Sequence, residues 1–182
     1  MIQVTVHGRG GQGAVTFAHI LCASATYDGK YGQSCMAPTV ERRGAPVQAY
    51  GRIRDKPIVE RGVVLTPDFV VVLNPMLMTA VNVEAGMSDS GKLVVNSAKD
   101  LGLNHEATYI DATPIAFDIL KLPITNTVML GALSAATGLI SLDSIEKGAR
   151  LILSRFSEEK LNSNIEAIRA GYEEVKRGKG VH

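Results

Sequence analysis

The sequence predicts an α/β protein, a three-layer α/β/α sandwich on a mostly parallel sheet with an added β-hairpin. Three observations carry this. Short apolar, β-branched runs at 69–73, 93–95 and 108–110 each end at a small polar residue, Asn74, Asn96 and Asp111, the pattern of buried parallel strands. The first run, 2–7, is joined to a Gly-free and Pro-free helical segment, 14–27, by a tight glycine turn, as in Rossmann-like sheets. The last third is dominated by helical periodicity.

Taken in order, the strand at 2–7 is bounded by glycine, and the helix at 14–27 carries Val15, Phe17, Ile20, Leu21 and Cys22 on most of its faces. That helix belongs between a sheet and a further layer. Residues 32–46 read as a loop, because Pro38, Gly44 and Pro46 break regular structure. Residues 47–54 and 57–65 alternate enough to be the two strands of the hairpin, joined across Arg54-Asp55-Lys56-Pro57. After the three parallel strands, 126–136 reads as a small-residue helix ending near Gly138, and Asp143 with Glu146 resembles a capping arrangement for the next. Leu161, Ile165, Ile168, Tyr172 and Val175 mark the last helix, and 176–182 is a basic tail.

A chain of 182 residues with 46% hydrophobic content is sized for one domain, 1–182. Its net charge of +1 offers no field for nucleic acid or an anionic membrane. Cys22 and Cys35 are too few for a disulfide framework and wrongly spaced for zinc or an iron–sulfur cluster. With no leader-like or membrane-spanning run, the expected location is cytoplasmic.

The sharpest local signal is Gly8-Arg9-Gly10-Gly11-Gln12-Gly13, a G-x-G-x-x-G turn between strand and helix. Such glycines permit positive φ, allow close approach, and aim the N–H groups of a helix start at an anion or an acidic partner. Nicotinamide-dinucleotide binding also needs a carboxylate at the end of the second strand. Asp28 has the sequence distance but reads as a turn residue where the helix ends, and Gln33-Ser34-Cys35-Met36 has no acid. Gly86-Met87-Ser88-Asp89-Ser90-Gly91-Lys92 imitates a phosphate loop, but Leu93 replaces the hydroxyl residue and a strand follows, so it reads as a surface turn.

With its flanks, Val6-His7-Gly8-Arg9-Gly10-Gly11-Gln12-Gly13-Ala14-Val15 resembles the N-terminal signature of 2-oxoacid:ferredoxin oxidoreductase gamma subunits. Glu41-Arg42-Arg43-Gly44-Ala45-Pro46-Val47, followed by Arg52-Ile53 and Lys56-Pro57-Ile58, is similar to a second block of that family. Pro67-Asp68 with Asn74-Pro75, then Asn126-Thr127-Val128-Met129-Leu130-Gly131, and more weakly Gly171-Tyr172, continue the resemblance to the last helix. The chain departs from many relatives at Ala37-Pro38-Thr39-Val40, where they carry an aromatic-Gly-Pro run.

The resemblance implies a complex of alpha, beta, gamma and delta chains, separate or fused, that oxidatively decarboxylates a 2-oxoacid to an acyl-CoA and passes electrons to ferredoxin or a related acceptor. The form of the second block is closer to the pyruvate, 2-ketoisovalerate and aryl 2-oxoacid types than to the 2-oxoglutarate type. Thiamine diphosphate, magnesium and [4Fe-4S] clusters are then expected in the other chains. The residues agree: there is no Gly-Asp-Gly motif and no thiolate set, and His7, His19, His105 and His182 form no catalytic motif. No catalytic or metal-binding residue is expected; His7 and His19 read as satisfied structural histidines. Two surfaces remain for coenzyme A or a neighbouring subunit: Gly8, Arg9, Gly10, Gly11, Gln12 and Gly13, and the paired-arginine bend Arg42, Arg43 and Gly44. The competing reading is a stand-alone NAD(P)-binding oxidoreductase resting on Gly8, Gly10 and Gly13.

Overall fold

The computed structural model describes residues 1–37 and 44–178. Six strands form one sheet: β1 (Ile2–Arg9), β2 (Tyr31–Met36), β3 (Pro46–Arg54), β4 (Phe69–Val72), β5 (Lys92–Asn96) and β6 (Glu106–Ile110), in the order β2-β3-β1-β4-β5-β6. β1, β4, β5 and β6 run parallel, and β3 is antiparallel to both β1 and β2. The helices are α1 (Ala14–Tyr27), α2 (Ala112–Leu120), α3 (Asn126–Thr137), α4 (Leu142–Ile152) and α5 (Glu158–Lys176), with a 3-10 helix at Pro75–Thr79.

Strand alternation divides the core in two. Val4, Val6, Ala49, Ile53, Val71, Leu73, Val94 and Ile110 point to one face and pack with apolar residues of all five α-helices. Val70, Val72, Leu93, Val95 and Tyr109 point to the other, where Met78 of the 3-10 helix and the loop residues Val83, Met87, Leu101 and Leu103 cover them. Helices therefore lie on both faces of the mixed, mostly parallel sheet, one layer thick and the other thin. Each fully buried aliphatic side chain contributes about 1.5–3 kcal/mol, so the helical layer dominates stability.

The hairpin is made from different strands than the alternation predicts. β2 occupies 31–36, all but Tyr31 within the expected loop, and it is the partner of β3. Residues 57–65 form no strand, because both edges of β3 are already taken by β1 and β2. They form instead a strap across the thin face. Arg52, 3% exposed, donates from Nη2 to the carbonyls of Gly62 (3.0 Å) and Val63 (3.1 Å) and from Nη1 to Gln33 Oε1, and Arg54 pairs with Glu60 at 2.9 Å.

The opening of α4 also differs: Ser141, not an Asp143–Glu146 box, is the cap, its Oγ accepting from Ser144 N–H. Glu146 instead pairs with Arg169 of α5 at 2.6 Å. The predicted helix end at Gly138 holds, with φ +63°. α3 and α5 cross closely because a Cβ on Gly131 would strike the Ile168 carbonyl, and one on Gly171 the Val128 carbonyl.

Candidate functional site at the carboxyl edge of the sheet

β1 delivers the chain to the glycine turn at its carboxyl end, and the turn reverses it into α1. Gly11 and Gly13 take φ of +94° and +80°, which only glycine adopts without strain. Gln12 Oε1 accepts from Arg9 N–H at 2.8 Å, and Gln12 N–H donates to the Arg9 carbonyl at 3.0 Å, so the turn is stitched to itself. Of the loop's two long polar side chains, Arg9 and Gln12, Gln12 is thus spent internally.

Arg9 reaches sideways. Its Nη1 donates to the Gly44 carbonyl at 3.0 Å, while Gly10 N–H donates to the Ala45 carbonyl (2.9 Å) and Gly44 N–H to the Gly10 carbonyl (3.3 Å). The two segments singled out in the sequence therefore meet: the turn after β1 and the approach to β3 form one cross-linked edge. Arg42 and Arg43 lie outside the described residues.

Asn126, at the start of α3, completes the floor. Its Nδ2 donates to the Gly13 carbonyl at 3.3 Å, and its Oδ1 accepts from Thr127 N–H. A Cβ on Gly13 would collide with this side chain, so the glycine is required by space as well as by φ. In the sequence Asn126 stands in a block shared with the family, and nothing there gives it this place. Neither α1 nor α3 has a side-chain cap or an acidic residue in its first turn. The first helical hydrogen bond of α1 is Phe17 N–H to the Gly13 carbonyl, which leaves the amides of Ala14, Val15 and Thr16 without helical acceptors. After β1 the chain leaves toward the thick face, and after the neighbouring β4 toward the thin face. The crevice between them is a topological switch point, where open α/β sheets bind ligands.

Asn74 and Asn96, the other polar strand-end residues, are structural. Asn74 Oδ1 caps the 3-10 helix at Met76 N–H (3.0 Å). Asn96 donates to the Leu73 carbonyl and accepts from Ala112 N–H, tying β4 to the start of α2. Asp111 is exposed and makes no cap hydrogen bond. His7 is buried beneath the turn, 3.5 Å from Gln48, and burial pushes its pKa down to about 4, so the ring is neutral near pH 7. His19, expected to be a satisfied structural residue, is exposed on α1. The Cys22 thiol is pushed up to about 12 by burial.

The geometry speaks against a dinucleotide site. Asp28 caps the far end of α1, about 21 Å from the glycine turn for a 14-residue helix. Its carboxylate already accepts from Ser141 N–H, Ser141 Oγ–H and Ser144 Oγ–H. Burial raises its pKa, but those hydrogen bonds outweigh it and hold the group below the usual carboxylate range. The second strand, moreover, is separated from β1 by the antiparallel β3.

Residues 3–174 match the pyruvate ferredoxin/flavodoxin oxidoreductase family. The chain belongs to this family. It is 45% identical to the pyruvate synthase subunit PorC of Methanocaldococcus jannaschii over 176 residues, covering 96% of this chain and 97% of that one. It is 47% identical to the pyruvate/ketoisovalerate oxidoreductases common subunit gamma of Pyrococcus furiosus over 183 aligned positions, covering 96% and 97%. The crystal structure of pyruvate oxidoreductase subunit PORC from Thermotoga maritima superimposes with a TM-score of 0.80 at 36% identity, covering 94% and 95%. The oxidoreductase gamma subunit carries the cross-linked glycine edge at the carboxyl end of β1. No described helix is long and apolar enough to cross a membrane.

Proposed function

We propose that this gamma subunit forms part of the coenzyme A side of a 2-oxoacid oxidoreductase, through the glycine edge, and holds no redox centre of its own. The carrying observation is the convergence at one switch point of the uncapped start of α1, the positive-φ turn and the Arg9–Gly44 cross-link. Amides without helical acceptors and a guanidinium suit phosphate groups or the carboxylates of an adjoining chain. Among the described residues, no three His, Cys, Asp or Glu side chains gather as a metal-holding group. In this reading thiamine diphosphate, magnesium and [4Fe-4S] clusters belong to the alpha, beta and delta (or fused) chains, electrons leave to ferredoxin or a related acceptor, and the complex works in the cytoplasm. This chain, read as one domain, binds and orients.

The test is Arg9→Ala in the reconstituted complex. The KM for coenzyme A is expected to rise about tenfold, the scale of one charge-assisted hydrogen bond, with the KM for the 2-oxoacid unchanged. An intact complex with an unaltered coenzyme A KM would refute the assignment of the edge. Stoichiometric iron in the chain purified alone would refute the absence of a redox centre.

A further inference from the structure

One sheet edge is left open in a way the glycine site does not explain. We propose that the free edge of β2 receives an extended, uncharged strand from a neighbouring subunit of the same oxidoreductase; this rests on the gamma-subunit reading. Ala37 N–H donates to the Gln48 carbonyl at 3.0 Å, and the register runs from there through Cys35↔Tyr50, Gln33↔Arg52 and Tyr31↔Arg54. In an antiparallel pair only alternate residues face the partner strand, so the backbone groups of Gly32, Ser34 and Met36 point outward. Among the described residues nothing pairs with them.

Sheets that end in water protect such an edge with charge, proline, a bulge or a short strand. The opposite edge, β6, does so with Glu106, held by Lys92 at 2.8 Å. β2 has six residues, Tyr31-Gly32-Gln33-Ser34-Cys35-Met36, with no charge and no proline, and it pairs residue for residue with β3. Beside the Arg54–Glu60 pair and Arg61, exposed apolar side chains flank it. Tyr31 (49% exposed), Met36 (42%), Val63 (41%), Val59 (80%) and Leu65 (75%) are five of the twelve exposed large apolar side chains among the described residues, and these five lie on β2 or on the strap.

The strap is tied to β2: the Cys35 thiol donates to the Gly62 carbonyl at 3.3 Å, and Arg52 holds the carbonyls of Gly62 and Val63 from beneath. The receiving surface is therefore rigid before the partner arrives, which lowers the ordering cost of association. Its chemistry specifies the occupant: backbone pairing along Gly32, Ser34 and Met36, with uncharged, apolar side chains at alternate positions against the strap.

Residue-resolved hydrogen exchange of the chain, alone and in the purified complex, tests this. The amides of Gly32, Ser34 and Met36 are expected to exchange freely in the isolated chain and to slow on assembly, while those of Gln33 and Cys35 are protected in both. Ser34→Pro removes one outward N–H at an edge position that tolerates proline, and Met36→Lys adds a protecting charge. Each is expected to keep the melting temperature of the free chain and to lower recovery of assembled complex about tenfold. Unchanged exchange on assembly would overturn the proposal, as would protection in the isolated chain that disappears on dilution, since that marks a second copy as the occupant. A chain that copurifies with no other oxidoreductase subunit would sink the gamma-subunit reading instead.

Discussion

The helix starts of this protein fall into two groups, apart from α2, whose first amide, Ala112 N–H, donates to Asn96 Oδ1. α4 and α5 follow Ser141 and Ser157, whose hydroxyls accept from the amides of Ser144 and Lys160, with Asp143, Glu158 and Glu159 in their first turns. α1 and α3, which meet beneath the glycine edge, have neither a side-chain cap nor an acidic residue there. All four face the same problem, orphan N–H groups and a positive dipole end. In α4 and α5 local sequence answers it, and those starts serve only the fold. At α1 the answer is missing, and the amides of Ala14, Val15 and Thr16, which have no helical acceptors, are the donors the proposed coenzyme A contact would use.

Gly13→Ala attacks the comparison most strongly. Alanine at φ +80° costs roughly 1–3 kcal/mol in backbone strain, and its methyl displaces Asn126 at a similar overpacking cost, so a loss of about 4 kcal/mol is expected in urea unfolding. The same exchange at Gly29, which has positive φ but an open surrounding, should lose only the backbone part. Equal losses at both positions would show that Asn126 does not fix the turn.

His7 links the same edge to pH. Its folded pKa, about 4, lies below the ordinary value of 6.5, so the unfolded chain takes up a proton before the folded chain does. The stability it confers is fully present above pH 6.5 and is lost as pH falls from 6.5 to about 4. A difference of that size is worth about 3 kcal/mol. Stability measured across this window should fall with acid in the natural chain and stay flatter in His7→Gln. A slope that survives the substitution would place the responsible group elsewhere.

Much of this edge was legible in the sequence, and the exceptions have physical causes. β1, β4, β5, β6 and α1 announce themselves by apolar runs with clear glycine or polar ends. β2 does not, because Gly32 and Gln33-Ser34-Cys35 lack a strand pattern. Gly32 is there because a Cβ would strike the Cys22 backbone, and β3 alone holds the strand in register. The strap reads as a strand from Ile58, Val59, Val63 and Val64, yet β3 has no edge left to offer it. α2 escaped because it is nine residues long with Pro114 in its first turn. The meeting of Arg9 with Gly44 spans 35 positions and shows only in three dimensions. The glycines themselves needed no structure, since their spacing between strand and helix already fixes a turn.

The smallest expected effect separates folding from function most cleanly. Thr16 is the third residue of α1, where a glutamate would complement the helix dipole that the natural sequence leaves uncompensated. Thr16→Glu should therefore stabilise the isolated chain by about 0.3–1 kcal/mol. In the complex the same carboxylate would repel an anion approaching the open amides, so the KM for coenzyme A should rise while the free chain melts higher. If Thr16→Glu stabilised the chain and left the complex untouched, the bare start of α1 would be a feature of packing, on the same footing as α4 and α5. Opposite shifts in the two measurements are what an edge kept open for a ligand requires.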